Sequence, residues 1–223
     1  MDAATELFEA IRAADAGKVR ELAAAQPAIV NAKNPQGQSA VLMACYMGRN
    51  EIRDILIDRG ATLQLHEAAA AGNLQRVKEL VESDLQLAES YSQDGFPLIA
   101  LAAAFGHEDI ARYLHAKGAN PNAIATNGTG YAALTGAVAN GHASLVKWLV
   151  ENGADVNYRY GKGHSPLLVA AANGRLDIIK TLVAHGADPH ARTNDGKSAL
   201  DFAAEHSHSD VTEYLQGLEA TVN

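Results

Sequence analysis

Nine histidines, one cysteine and 26 acidic residues are among the side chains of this 223-residue protein able to bind metal, attack as nucleophiles or exchange protons. A zinc site needs three or four ligands converging from short, characteristic spacings. The chain has no HExxH, and a single cysteine leaves no CxxC pair. His206 and His208 stand closest together, and among Ser207 and Ser209 they read as solvated residues of a terminal turn. Neither a metal nor a cofactor is assigned. Glu67 beside His66, with Glu51, Asp54, Glu79 and Glu82, reads as helix caps and solvated faces rather than an acid and base sharing a pocket. No glycine-rich stretch leads from a strand into a helix, as a phosphate cradle requires. An enzyme is not expected.

Charge narrows the partners further. Eighteen Lys+Arg against 26 Asp+Glu give a net charge of −8, which opposes the broad basic footprint that nucleic-acid phosphates demand. Cys45 alone cannot form a disulfide within the protein. The start MDAATELFEAIRAADAG carries acids and no long apolar run, so neither a signal peptide nor a membrane span is expected, and a cytoplasmic location follows.

The elements that must position any functional side chain recur along the sequence. A small residue, a turn position four residues later and a Leu eight residues beyond that repeat together. The turn falls at Gly17, Gly48, Gly72, Gly106, Gly141, Gly174 and Ser207, at spacings of 31, 24, 34, 35, 33 and 33. Ala13, Ala44, Ala68, Ala102, Ala137, Ala170 and Ala203 precede it; Leu56, Leu80, Leu114, Leu149, Leu182 and Leu215 follow, the first unit departing at Ala25. Cys45 shares a column with Ala14, Ala69, Ala103, Val138, Ala171 and Ala204, so it reads as a packing residue. Each unit predicts two short amphipathic helices that bury their apolar sides only by stacking on the next pair. Segments such as 153–166 and 186–199 predict extended hairpin fingers between pairs.

The stretches SPLLVAAANGRLDIIKTLVAHGADPHA and YAALTGAVANGHASLVKWLVENGADVN resemble ankyrin repeats, with Ser165-Pro166 where that family opens its first helix and Asn173-Gly174 at its interhelical turn. The resemblance spans nearly the whole chain. It implies an all-α fold, an ankyrin-repeat solenoid of about seven helix-pair units with short hairpin fingers, as a single array over 1–223. Only His66 keeps the family's His; Leu42, Ala100, Thr135, Leu168 and Asp201 replace it, which predicts weaker bonding between neighbouring fingers.

The array departs from its own rule in two places. The 24-residue interval between Gly48 and Gly72 leaves no room for a finger, which suggests sub-blocks 1–61 and 62–223 with a bend between them; a merely shortened loop is the alternative. AAQPAIVNAKNPQG (24–37) resembles ESDLQLAESYSQDG (82–95) at an offset of 58, as though units one and two were echoed by three and four. The finger 118–132 is two residues longer than its neighbour and holds Gly128 and Gly130, so its tip is expected to protrude, either as a binding feature or as a neutral insertion. Polar residues at both ends suit caps, and Gly217 to Asn223 is expected to fray.

The resemblance also implies where a ligand would touch: the finger before each first helix and the two residues before each turn. Carried over, these are Tyr46 and Met47; Phe96 and Phe105; Tyr131 and Asn140; Tyr160, Lys162, His164 and Asn173; and Asn194, Lys197 and His206. Five of the 12 aromatics fall in this set, and aromatics dominate interface hot spots. Tyr113 and Trp148, on second helices, are expected to pack instead. The expected function is non-catalytic recognition of another protein through the concave face of the repeat array. Self-association through the same face is the alternative, and an enzyme or metal protein on this scaffold ranks last.

Overall fold

The computed structural model describes residues 2–220. Fourteen α-helices and two 3₁₀ helices account for its regular structure among the described residues, and the extended segments meet only as isolated bridges. The protein divides into two compact units between Leu80 and Val81, within α6 (Leu74–Ser83). The first holds α1 (Ala3–Arg12), α2 (Ala16–Ala25), η1 (Pro27–Asn31), α3 (Ala40–Tyr46), α4 (Asn50–Asp58) and α5 (Leu65–Ala71). The second holds η2 (Leu85–Glu89), α7 (Leu98–Ala104), α8 (Glu108–Ala116), α9 (Ala133–Ala139), α10 (Ala143–Glu151), α11 (Pro166–Ala172), α12 (Leu176–Ala184), α13 (Ala199–Glu205) and α14 (Ser209–Ala220). α14 runs to Ala220, into the stretch from Gly217 expected to fray, and residues 221–223 lie outside the described residues.

Consecutive helices pair, α1 with α2, α3 with α4, α7 with α8, α9 with α10, α11 with α12 and α13 with α14, and within each unit the first helices lie on one another: α1 on α3 and α3 on α5, then α7 on α9, α9 on α11 and α11 on α13. The alanines of the first helices permit this. A Cβ added at Gly136 in α9 would stand 3.2 Å from the Cα of Ala104, closer than packed side chains ordinarily approach. The second helices supply the larger apolar groups: Leu56, Leu114, Leu149 and Leu182 are fully buried. Cys45 is buried in its packing column, and burial pushes its thiol up to about 12.

The first turn corrects the sequence register. Ala14, not Gly17, occupies the turn: its φ of 57° matches Gly48 at 64° and Ser207 at 60°. The bond closing each turn makes the same point. Asp15 N–H reaches Ala10 O at 2.9 Å, as Arg49 N–H reaches Ala44 O at 2.8 Å and His208 N–H reaches Ala203 O at 2.9 Å. The small-residue column therefore begins at Ala10 rather than Ala13, and the residue eight beyond the turn is the buried Leu22 rather than Ala25. A positive φ in a non-glycine residue hid this from pattern matching. In the third pair, the fully buried outer-helix residues are Val77 and Val81, while Leu80 is half-buried.

Positions that lost the family's His keep a local role. Thr135 Oγ1 accepts from Ala132 N–H at 2.8 Å, and Asp201 Oδ2 accepts from Ser198 N–H at 2.8 Å, so both cap their own helices. Glu67 also caps, accepting from Gln64 N–H at 2.7 Å, but it is buried, not on a solvated face.

The offset of 58 holds in three dimensions. The ranges of α2, η1, α3 and α4 reappear residue for residue as α6, η2, α7 and α8. The finger bridge Lys33–Ser39 returns as Tyr91–Pro97. Only six residues separate α4 from α5, and no finger forms there.

Candidate functional site

The fingers of the second unit are built from short turns and tied at base and tip. Tyr160 and His164 exchange both backbone bonds at 3.0 Å, and Ser165 then caps α11 with Pro166 at its first position. In the next finger Thr193 N–H donates to Lys197 O at 2.9 Å, and the Thr193 hydroxyl accepts from Lys197 N–H at 3.0 Å. At the bases, Asn122 Nδ2 donates to Gly153 O at 2.8 Å and Asn157 Nδ2 donates to Gly186 O at 2.9 Å. Each of these asparagines also accepts through Oδ1, from Asp155 N–H and Asp188 N–H respectively, both at 2.9 Å.

At the tips, Asn194 N–H donates to Lys162 O at 2.9 Å, and Arg159 donates to the carbonyl of Arg192. The long finger is held in the same manner, by Thr126 N–H on Gly95 O and Asn127 Nδ2 on Asp94 O, each at 2.8 Å. Backbone and asparagine bonds thus join neighbouring fingers at positions other than the family's His. A tied hairpin holds its side chains at little further entropic cost when a ligand arrives.

On this frame the aromatics form a row. Tyr131 meets Tyr160 edge to face, centroids 5.2 Å apart at 86°. Tyr160 stacks against Tyr158 at 6.3 Å and 15°, and lies 6.2 Å from His164. His164 in turn lies 5.8 Å from Phe202 of α13. Lys197 Nζ stands 5.6 Å from the Phe202 ring while donating to both Glu205 oxygens at 2.8 Å. Tyr131 remains 41% exposed at one end of the row. Tyr160 is half-buried, and that burial, with Tyr131 beside it, pushes its phenol up to about 12.

The structure therefore sets Tyr160 between Tyr131 and His164 and attaches Lys197 through Phe202. Asn140, Asn173 and Lys162 are exposed in the same unit; the Asn140 amide donates to Gly136 O at 3.0 Å. Phe105 ends α7 and Phe96 lies in the 91–97 finger, both half-buried. Tyr46, exposed, and Met47, half-buried, belong to the first unit. Sequence reasoning missed Tyr158 and Phe202. Tyr158 was legible, because residues two apart on an extended segment share a face. Phe202 was not, since its helix position holds the smaller Val169 and Gly136 in the preceding pairs.

The remaining candidates have structural partners. Trp148 is buried with the Arg112 guanidinium 5.0 Å from its ring. His208, expected as a solvated residue, is half-buried; its Nε2 meets Ala172 O at 3.1 Å, as His142 Nε2 meets Ala104 O at 3.0 Å, so these rings fasten one helix pair to the last. His206 stacks on His208 at 6.1 Å, with Nδ1 2.9 Å from Phe202 O. Among the described residues no three His, Cys, Asp or Glu side chains gather as a metal would need, and no helix is long and apolar enough to cross a membrane.

These helix pairs, closing turns and fingers are those of the ankyrin family, and comparison with known proteins agrees. The family model described as ankyrin repeats (3 copies) matches residues 65–160 and 137–223, and the chain belongs to that family. It is also similar to the mouse (Mus musculus) protein fem-1 homolog A-like, at 30% identity over 92 residues. That match covers 36% of this chain and 14% of the mouse protein, so the chain spans a small part of that relative's length.

Proposed function

We propose that this protein is a non-catalytic recognition module that binds another protein through the finger side of its second unit. The observation that carries the reading is the row of interlocked rings from Tyr131 to Phe202, set on fingers already tied at base and tip and exposed at Tyr131. Phe96, Phe105, Asn140, Lys162, Asn173 and Lys197 extend this surface within the second unit, while Tyr46 and Met47 are candidate contacts of the first unit by itself. Ankyrin repeats generally mediate protein–protein interaction, and no enzymatic family is indicated for this protein. A cytoplasmic protein partner, rather than nucleic acid, suits the net charge of −8.

The test is co-purification from the native host with Tyr131→Ala and Phe105→Ala variants beside the unaltered protein. A partner that is lost with the variants, while thermal unfolding shifts by no more than about 1 kcal/mol equivalent, supports the reading. Partners retained by folded variants would place the site elsewhere. Light scattering over a concentration series distinguishes self-association, which would raise the mass of the pure protein.

A further inference from the structure

Asparagine followed by glycine occurs at 127–128, 140–141, 152–153 and 173–174. Such a step can lose ammonia when the glycine nitrogen attacks the asparagine Cγ, because glycine has no Cβ to obstruct the approach. The structure treats the four steps differently. Gly141, Gly153 and Gly174 end helices, and their N–H groups are engaged with Val138 O at 3.1 Å, Val150 O at 3.3 Å and Ala171 O at 3.2 Å. The Asn140 and Asn152 amides donate to Gly136 O and Trp148 O, as the Asn127 amide does to Asp94 O, so it is the glycine N–H that separates the steps. The two Asp–Gly steps, at 94–95 and 195–196, likewise have their glycine N–H bonded, to Ser92 O and Thr193 O.

Gly128 is exposed with open space around it, and its N–H makes no hydrogen bond among the described residues. The carbonyl it would attack is polarised. Asn127 Oδ1 accepts from Thr129 N–H at 3.1 Å and from the Thr129 hydroxyl at 2.6 Å, two donors on the oxygen where negative charge develops.

We propose that Asn127 is a site of spontaneous deamidation whose conversion cuts a tie between two neighbouring fingers. The Gly128 nitrogen bonds to Asn127 Cγ, the Cγ–Nδ2 bond breaks, and the nitrogen proton leaves with the amide as ammonia. Water then opens the cyclic imide at either carbonyl, giving aspartate or isoaspartate, with no change of oxidation state. Either product replaces the Nδ2 donor by a carboxylate oxygen facing the Asp94 carbonyl, where it has nothing to donate. Isoaspartate also lengthens the backbone between the Thr126 anchor on Gly95 and Tyr131. The finger loosens from its neighbour, and the Tyr131 ring loses its fixed seat on Tyr160.

The purified protein is held at physiological temperature and mildly alkaline pH, then mapped by peptide mass spectrometry with isoaspartyl methyltransferase labelling. Asn127 is expected to convert roughly tenfold ahead of the other three asparagines, and Thr129→Val to slow it by about the same factor. In denaturant the four rates should converge. Conversion led by another asparagine, or a preference for Asn127 that persists unfolded, would overturn the proposal. Amide exchange at Thr126 is the second readout: it should quicken in Asn127→Asp and in the aged protein, and unchanged protection would sink the claim that the tie is cut.

Discussion

Residues 3–60 and 61–118 are two versions of one design, and what they share differs in kind from what they do not. Shared are the backbone signals: Asp15 and Asn73 each accept at Oδ1 from the N–H three residues on, at 2.9 Å. The 3₁₀ helices and finger bridges fall at matching positions. Both copies even keep a cleft at the finger base, about 260 Å³ beside Lys33 and Thr62 and about 330 Å³ beside Tyr91 and Asn120. What differs is the lining and the exit. Lys33 gives way to Tyr91 and Asn31 to Glu89; Asn31 Oδ1 accepts from Thr62 N–H at 2.8 Å, a tie the carboxylate of Glu89 does not repeat in the hydrogen bonds of the second copy. The first copy then enters α5 within six residues, whereas the second runs into the long finger that carries Tyr131. Caps, turns and small-residue contacts specify the backbone, and surface chemistry varies on top of it.

The sharpest test of this equivalence lies in the core. Leu56→Ala and Leu114→Ala remove equivalent, fully buried side chains, and each is expected to cost about 2–5 kcal/mol in denaturant unfolding. A loss at one site but not the other would show that matching backbones conceal unlike packing. Next come the turns. Gly48 has open space around it and a φ of 64°, so Gly48→Ala meets only backbone strain of roughly 1 kcal/mol. Ala14→Gly should act with the opposite sign and a similar or smaller size, read from the same unfolding curves. Like signs would mean that Ala14 is not the first turn. The caps follow: Asp15→Ala and Asn73→Ala should each cost about 1 kcal/mol, and markedly unequal losses would separate the two copies.

The last test is a pH dependence. The Cys45 thiol is raised from 9.0 to about 12 and the Tyr160 phenol from 10.0 to about 12, so the folded protein holds both protons more tightly than the unfolded one. Their contribution is complete below the unfolded values and is lost as pH climbs toward the folded ones. Cys45→Ala installs the residue found 58 positions later, Ala103, and should move the alkaline onset of lost stability from near 9.0 toward 10.0. Urea midpoints followed upward from neutral pH would reveal an unmoved onset, which would place the thiol in contact with water.

Much of this protein was legible in its sequence. The alternation of small residue, turn and leucine gave the helix pairs, and Ser165-Pro166 and Asn173-Gly174 marked a helix start and a turn, because propensity, capping and steric demands act over a few residues. The offset of 58 and the missing finger were visible for the same reason. The register of the first pair was not, because Ala14 adopts a left-handed φ only where the closing bond to Ala10 and the Arg49 guanidinium on Arg12 O hold it. Nor was the candidate face. Tyr131, the pair Tyr160 and His164, and Phe202 lie on two fingers and a helix, separated by as many as 71 residues, and they meet where asparagines 122 and 157 fix each finger to the next. Local rules set what each segment becomes, but ring contacts and the free N–H of Gly128 depend on how segments lie against one another, and only tertiary packing decides that.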